Sequence, residues 1–312
     1  MPTLFERIEG GLLGLLIGDA LGVPYEFHEP QDLPPLDKIE FTPPPGFRRA
    51  HAGVPPGTWS DDGAQALALL RSLLAQNRLD LADFGQQLSA WYQVGTMAVD
   101  NIVFDVGIQT RQAIQAMING VPPAQAGSTA ERANGNGSLM RVLPLALWHQ
   151  GSDRDLVEQA HQQSLPTHGH PRAQVCCALY CLWARRLLQE ADQPWPAAVT
   201  TLRTIYEHHS PEYQELEAHI RPDSPAAGKG TGYVVDCLHS ARWALQAGSY
   251  EQVVKSAIAL GRDTDTTACV AGGIAGLRDG VQAIPPRWRA HLRGQELVTP
   301  LLQQLLRRYQ AV

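Results

Sequence analysis

Residues 10–22 read Gly-Gly-Leu-Leu-Gly-Leu-Leu-Ile-Gly-Asp-Ala-Leu-Gly. In a helix, steps of three and four return to one face, so Gly11, Gly14, Gly18 and Gly22 line a single side. Glycine costs a helix roughly 0.8–1 kcal/mol per position relative to alanine. A stripe of it therefore implies that another backbone comes close. Near the other end Gly272, Gly276 and Gly280 repeat at intervals of four. The expectation is two helices deep in the core, set against each other and joining both ends of the chain into one domain. As a membrane segment the first run is too short and carries Asp19.

Outward from these two stripes, helical periodicity dominates. It predicts helices over 4–21, 61–76, 81–97, 104–119, 138–149, 153–163, 171–190, 195–208, 231–247, 250–260, 265–279 and 296–310, and hence an all-α fold. No 30- to 45-residue repeat supports a solenoid, so residues 1–312 are read as a single domain. The least helical stretch, 24–57, holds Pro24, Pro30, Pro34, Pro35, Pro43, Pro44, Pro45, Pro55 and Pro56. Loops this long in compact domains usually serve a site, so a lid or substrate-facing rim is expected there. Residues 209–230 read as a connector.

The net charge of −6 over 312 residues argues against a non-specific nucleic-acid binder. A phosphate-bearing ligand must then be held by backbone amides, a few polar groups or a metal. Cys176, Cys177, Cys181, Cys237 and Cys269 form no Cys-x-x-Cys pair and read as buried thiols. With no recognisable secretory leader, a cytoplasmic location is expected, and a monomer is favoured.

The densest chemistry lies in two acidic segments, Trp59-Ser60-Asp61-Asp62 and Gly261-Arg262-Asp263-Thr264-Asp265-Thr266-Thr267-Ala268. Asp263 and Asp265 lie two apart and point the same way in an extended loop, with the Thr266 hydroxyl beside them. Such oxygen donors repel one another unless a cation neutralises them, and Mg²⁺, Mn²⁺ or Ca²⁺ suits them better than zinc. Alternatively, each pair merely caps the helix that follows. Asn134-Gly135-Asn136-Gly137-Ser138 precedes a helix expected to start near Leu139, where free N–H groups could cradle an anion, although Asn-Gly also marks ordinary turns. In Thr167-His168-Gly169-His170-Pro171 one histidine is expected to meet a phosphate or cap a helix rather than bind zinc. Glu26, flanked by Tyr25 and Phe27, reads as a general base or a rim residue, and Asp105 as a helix-start acid unless the fold brings it to the other acids.

Taken together, Gly10–Phe27, Gly57–Leu70, Phe104–Arg111, Asn134–Pro144, Thr167–Pro171, Gly232–Leu238 and Gly261–Gly276 resemble, in order, the ADP-ribosylglycohydrolase family. The resemblance implies a compact all-α fold and two divalent cations, Mg²⁺ or Mn²⁺, held by Ser60, Asp61, Asp62, Asp263, Asp265 and Thr266. It implies that Asn134, Gly135, Asn136 and Gly137, with His168, hold a pyrophosphate and nearby ribose. Tyr233 would line the cleft, and Glu26 and Asp105 would stand near the scissile bond. The implied substrate is an ADP-ribosylated protein, arginine-linked by preference, and the product ADP-ribose. The same fold could instead cleave serine-linked, nucleic-acid-linked or small-molecule conjugates, or bind ADP-ribose without turnover. Family members usually read Trp-Thr-Asp-Asp-Thr where this chain has Trp59-Ser60-Asp61-Asp62-Gly63. One hydroxyl is kept and one is lost.

Overall fold

A computed structural model describes residues 1–310. Its helices are α1 (Leu4–Gly22), α2 (Asp61–Gln76), α3 (Leu81–Val94), α4 (Ile108–Ile118), α5 (Pro123–Ala126), α6 (Leu143–Trp148), α7 (Asp153–Ser164), α8 (Pro171–Leu188), α9 (Pro194–Ile205), α10 (Pro211–Gln214), α11 (Val234–Ala244), α12 (Tyr250–Ile258), α13 (Thr264–Asp279), α14 (Pro286–His291) and α15 (Gln295–Gln310). Among the described residues the only β-type pairings are two isolated bridges, Ser128 with His168 and Gly135 with Tyr233. The fold is all-α.

The two glycine stripes meet. A Cβ on Gly10 would run into the Gly276 carbonyl, one on Gly14 into the Gly272 carbonyl, and one on Gly18 into the Ala268 carbonyl. α1 and α13 thus pack backbone to backbone as the central pair. The register differs from the sequence expectation at one end: Gly10, not Gly11, belongs to the seam, because Gly11 faces the Leu277 side chain. Gly280 ends α13 at φ +76° with its backbone still against Gly10, where a Cβ would meet Gly280 C at 2.8 Å. The seam is further tied by the Tyr250 hydroxyl donating to the Gly14 carbonyl (2.8 Å) and Thr264 Oγ1 donating to the Gly22 carbonyl (2.8 Å). The apolar stretch is also longer than residues 10–22. Leu4–Tyr25 is long and apolar enough to cross a membrane, yet 89% of an apolar 18-residue stretch within it is buried inside the protein.

Other departures have local causes. The helix expected over 104–119 starts only at Ile108, since Asp105 takes a left-handed φ of +56° and Gly107 is extended. The helix expected over 138–149 shrinks to α6, because the Asn136 carbonyl accepts the N–H groups of Leu139 (2.8 Å) and Met140 (3.0 Å) in a turn. The connector 209–230 carries α10, which runs on as a π-helical turn over Glu215–Ile220.

The proline-rich stretch folds into short 3₁₀ turns pinned to the body. Ile39, Phe41 and Val54 are buried. Tyr25 Oη donates to the Glu40 carbonyl (2.8 Å), and Ala50 N–H donates to the Pro24 carbonyl (2.9 Å). It is a strap lying across the end of α1.

Candidate active site

The N-termini of α2 and α13 converge on the C-terminal end of α1. Ser60 caps α2, its Oγ accepting from Asp62 N–H (3.3 Å), and Asp61 and Asp62 occupy the first turn. Asp263 stands at the start of α13, with Asp265 and Thr266 just inside it. Thr266 Oγ1 reaches Asp62 Oδ1 at 3.3 Å, joining segments that are 204 residues apart. Glu26 follows α1, and its neighbours hold it over this floor. Phe27 N–H donates to the Arg262 carbonyl (2.8 Å), and Arg262 N–H donates to the His28 carbonyl (2.7 Å). Glu26, Asp263 and Asp265 bring carboxylate oxygens within 4.8 Å of one another.

These acids are buried. Asp61, Asp62, Asp265 and Glu26 are each less than 5% exposed. Burial, reinforced by neighbouring carboxylates, pushes the pKa of each well above the ordinary range. Asp62 Oδ2 and Asp265 Oδ2 have no hydrogen-bond partner at all. An unpaired buried oxygen costs about 1–3 kcal/mol, more when charged. A hard, all-oxygen set with orphaned carboxylate oxygens therefore fits divalent cations such as Mg²⁺ or Mn²⁺. Their charge would reverse the logic that raises these pKa values.

Supporting residues that the sequence reading did not single out fix this floor. Asp19, fully buried on α1, accepts from Ser60 N–H (2.9 Å) and Gly63 N–H (2.8 Å), and burial raises its pKa to about 7. A second line runs through a buried cation. Arg141 Nη1 donates to Gln65 Oε1 (2.9 Å), and Gln65 Nε2 donates to Asp61 Oδ2 (2.9 Å). Burial lowers the Arg141 pKa to about 10. A lone charge inside an apolar run was the available signal for both Asp19 and Arg141. The missing hydroxyl at Gly63 also has a packing reason, since a Cβ there would press on the Trp59 ring and Leu16.

Above the floor lies a cavity of about 360 Å³, lined among others by Glu26, Asp61, Asp62, Asp105, Asp263 and Thr266. Gly135, Asn136, Gly137 and His168 line its opposite wall. Asn136 Nδ2 donates to Asp263 Oδ2 (2.8 Å), and the loop is anchored by Asn136 N–H to the Gly232 carbonyl (3.0 Å) and Val234 N–H to the Asn134 carbonyl (3.0 Å). A Cβ on Gly137 would meet His168 Cε1 at 2.8 Å and Thr110 Oγ1 at 3.1 Å, so only glycine leaves this wall open. The helix-start cradle expected at Leu139 does not form, because its N–H groups are spent on Asn136. Burial drives the His168 pKa down to about 3, leaving a neutral ring whose Nδ1 meets Thr167 Oγ1 (2.8 Å). His170 caps α8, its Nδ1 accepting from Arg172 N–H (3.2 Å).

Not every expected residue faces the cavity. Ser60 and Asp265 lie beneath it, Asn134 behind its loop, and Tyr233 beside it, 39% exposed and bonded through its hydroxyl to Arg172 (3.2 Å). Asp105 does face it, with a pKa raised to about 6 by burial and then by Asp263. Gln109, Phe27 and Ile108 line it as well. Gln109 Nε2 donates to the Ala133 carbonyl (2.9 Å), tying α4 to the Asn-Gly loop.

Comparison with known proteins agrees with this architecture. An ADP-ribosylarginine hydrolase, Tri1, from Pseudomonas putida (strain GB-1) is 31% identical across 97% of this chain and 78% of its own length. The ADP-ribosyl-[dinitrogen reductase] glycohydrolase of Rhodospirillum rubrum is 28% identical across 93% and 92%. A solved structure of an ADP-ribosylglycohydrolase-related protein complex superposes with a TM-score of 0.78 at 30% identity, covering 98% of this chain and 99% of that one. The family model for ADP-ribosylglycohydrolase matches residues 1–312, and the chain belongs to that family.

Proposed function

We propose that this family member is a divalent-metal-dependent hydrolase that removes ADP-ribose from arginine side chains. The observation that carries the reading is the meeting of buried Asp61, Asp62 and Asp265 with half-buried Asp263, with two carboxylate oxygens left unpartnered beneath an open cavity. Ser60, Asp61, Asp62, Asp263, Asp265 and Thr266 would hold two cations, Mg²⁺ or Mn²⁺, which would neutralise the acids and stabilise charge in the sugar.

The chain's own groups divide the remaining work. Gly135 and Gly137 let a diphosphate approach the backbone, and neutral His168 offers a ring nitrogen without a fixed charge. Glu26 takes a proton from the water that attacks the anomeric carbon. Burial, and then the neighbouring carboxylates, raise its pKa, the direction that makes a carboxylate a stronger base. The carbon–nitrogen bond breaks as the carbon–oxygen bond forms, its electron pair stays on the leaving nitrogen, and the proton taken up by Glu26 passes to that nitrogen, so the leaving group departs as a guanidinium. Asp105 at the cavity wall faces that cation. Burial and then the Asp263 charge raise its pKa, and a guanidinium beside it would offset both, which favours arginine over a neutral serine leaving group. The name of the 31%-identical relative supports the same linkage. The strap 24–57 would act as the substrate-facing rim. The five free buried cysteines agree with a reducing, cytoplasmic setting.

The test is release of free ADP-ribose from an ADP-ribosyl-arginine protein in Mg²⁺, in Mn²⁺ and in chelator. Metal-dependent release is expected. Equal release in chelator would remove the metal from the reading, and release only from a serine-linked conjugate would remove arginine.

A further inference from the structure

Glu26 and Asp105 reach the cavity from different parts of the chain, and a third residue joins them from behind. His51 Nε2 lies 2.5 Å from Glu26 Oε2 and 3.7 Å from Asp105 Oδ1. It belongs to the strap and is not among the residues facing the cavity. We propose that His51 is a positioning residue for the reaction, its Nε2 hydrogen-bonded to the Glu26 carboxyl and packed beside Asp105, so that one ring sets where both acids stand across the scissile bond. The inference rests on the roles given above to those two acids.

The surroundings are built for that task. His51 takes a left-handed φ of +48°, and Val54 N–H closes a turn onto its carbonyl (2.8 Å). The ring is packed between Phe104 (centroids 5.1 Å apart) and Phe27 (5.6 Å), so it has little freedom to swing away. Ala50, its neighbour, is anchored to Pro24, two residues before Glu26. Phe104 precedes Asp105. The strap, the end of α1 and the 104–107 segment are therefore clamped by one side chain. Two like-charged carboxylates at this spacing would otherwise move apart, and a misplacement of about 1 Å in a reacting group can cost on the order of 100-fold in rate.

The experiment compares His51→Phe, His51→Gln and Glu26→Gln on an ADP-ribosyl-arginine protein, with ADP-ribose affinity measured in parallel. His51→Phe keeps an aromatic ring between Phe27 and Phe104 but has no N–H. Its kcat should fall roughly 10- to 100-fold with KM and ADP-ribose affinity unchanged. His51→Gln returns a side-chain N–H near the Nε2 position and should recover most of that loss. Wild-type kcat in His51→Phe, with Glu26→Gln inactive, would overturn the inference alone. Equal losses in His51→Phe and His51→Gln would reduce His51 to packing and overturn it too. An active Glu26→Gln, or no turnover by the unaltered protein, would sink the reading of Glu26 and this inference with it.

Discussion

The floor and the rim of the cavity are built by opposite means. The floor is three helix ends locked together by contacts that allow no slack. α1 and α13 touch backbone to backbone, and Asp19 holds the N–H groups that open α2. The rim is made of irregular chain, and several of its residues occupy backbone conformations that side chains avoid. Phe27, His51 and Asp105 all have left-handed φ, each at a cost of order 1–3 kcal/mol. Two floor acids, Asp62 and Asp265, each keep a buried oxygen without a partner, whereas the rim acids flank His51. One region stores unfavourable electrostatics and the other stores backbone strain. The helices around them must stabilise both.

The sharpest way to break this contrast is at the floor acids. Asp62→Ala or Asp265→Ala should lower turnover by about 1,000-fold or more, the several kcal/mol that a bound metal contributes to such chemistry. Stability should move the other way in chelator. Asp265→Asn removes one member of a mutually repelling buried set and should raise the melting temperature of the metal-free protein. It should also abolish the further rise that Mn²⁺ gives the wild type, as calorimetry with and without metal would record. A metal-free Asp265→Asn protein melting below wild type would mean that the floor is not electrostatically strained.

Glycine substitutions compare the regions in one currency. Gly18→Ala forces a Cβ into the Ala268 carbonyl and should cost about 3 kcal/mol in urea denaturation. Gly107→Ala at the rim meets nothing closer than Thr110 Oγ1 at 3.9 Å, in an extended conformation, and should change stability by under about 0.5 kcal/mol. Similar costs at both sites would erase the distinction.

The same contrast explains what could be read without coordinates. The glycine stripes and paired acidic segments signal close approach and convergence by residue type and spacing, so the central helix pair and the floor were legible. The residues that orient the acids were not. Asp19 looked like an interruption of an apolar helix, and Gln65 and Arg141 gain meaning only when three segments meet. The rim was misread as helix from 104, and the helix after the Asn-Gly loop was placed too early, since it begins only at Leu143. In both places one backbone choice, the φ of Asp105 and the double acceptance by the Asn136 carbonyl, overrides helical periodicity. His51 was invisible because its partners lie 25 and 54 residues away in the chain.

His168 gives a pH test of the wall between floor and rim. Its folded pKa of about 3 lies below the ordinary 6.5, so the unfolded chain binds the proton more readily. The stability contributed by the neutral ring is therefore present above pH 6.5 and is lost as pH falls from there toward 3. Between pH 7 and 5 the wild type should lose stability more steeply than His168→Gln, as denaturation series at fixed ionic strength would show. Parallel slopes would mean that the ring charges in place.

The smallest effect is expected at Phe27, and it separates rim from floor most cleanly. This side chain lines the cavity while 71% exposed, and its left-handed backbone is held by hydrogen bonds of the main chain, not by its ring. Phe27→Ala removes little buried area and should alter stability by less than about 0.5 kcal/mol. A ring held at the mouth can still contact whatever carries the modification, and an exposed aromatic contact contributes about 1 kcal/mol. KM for an ADP-ribosylated protein should then rise several-fold, while KM for free ADP-ribosyl-arginine, too small to reach past the mouth, stays at the wild-type value, and any fall in kcat from the packing lost at His51 should be the same on both substrates. An equal rise of KM on both substrates would instead put Phe27 against the ADP-ribose itself and move the boundary of the floor outward by one residue.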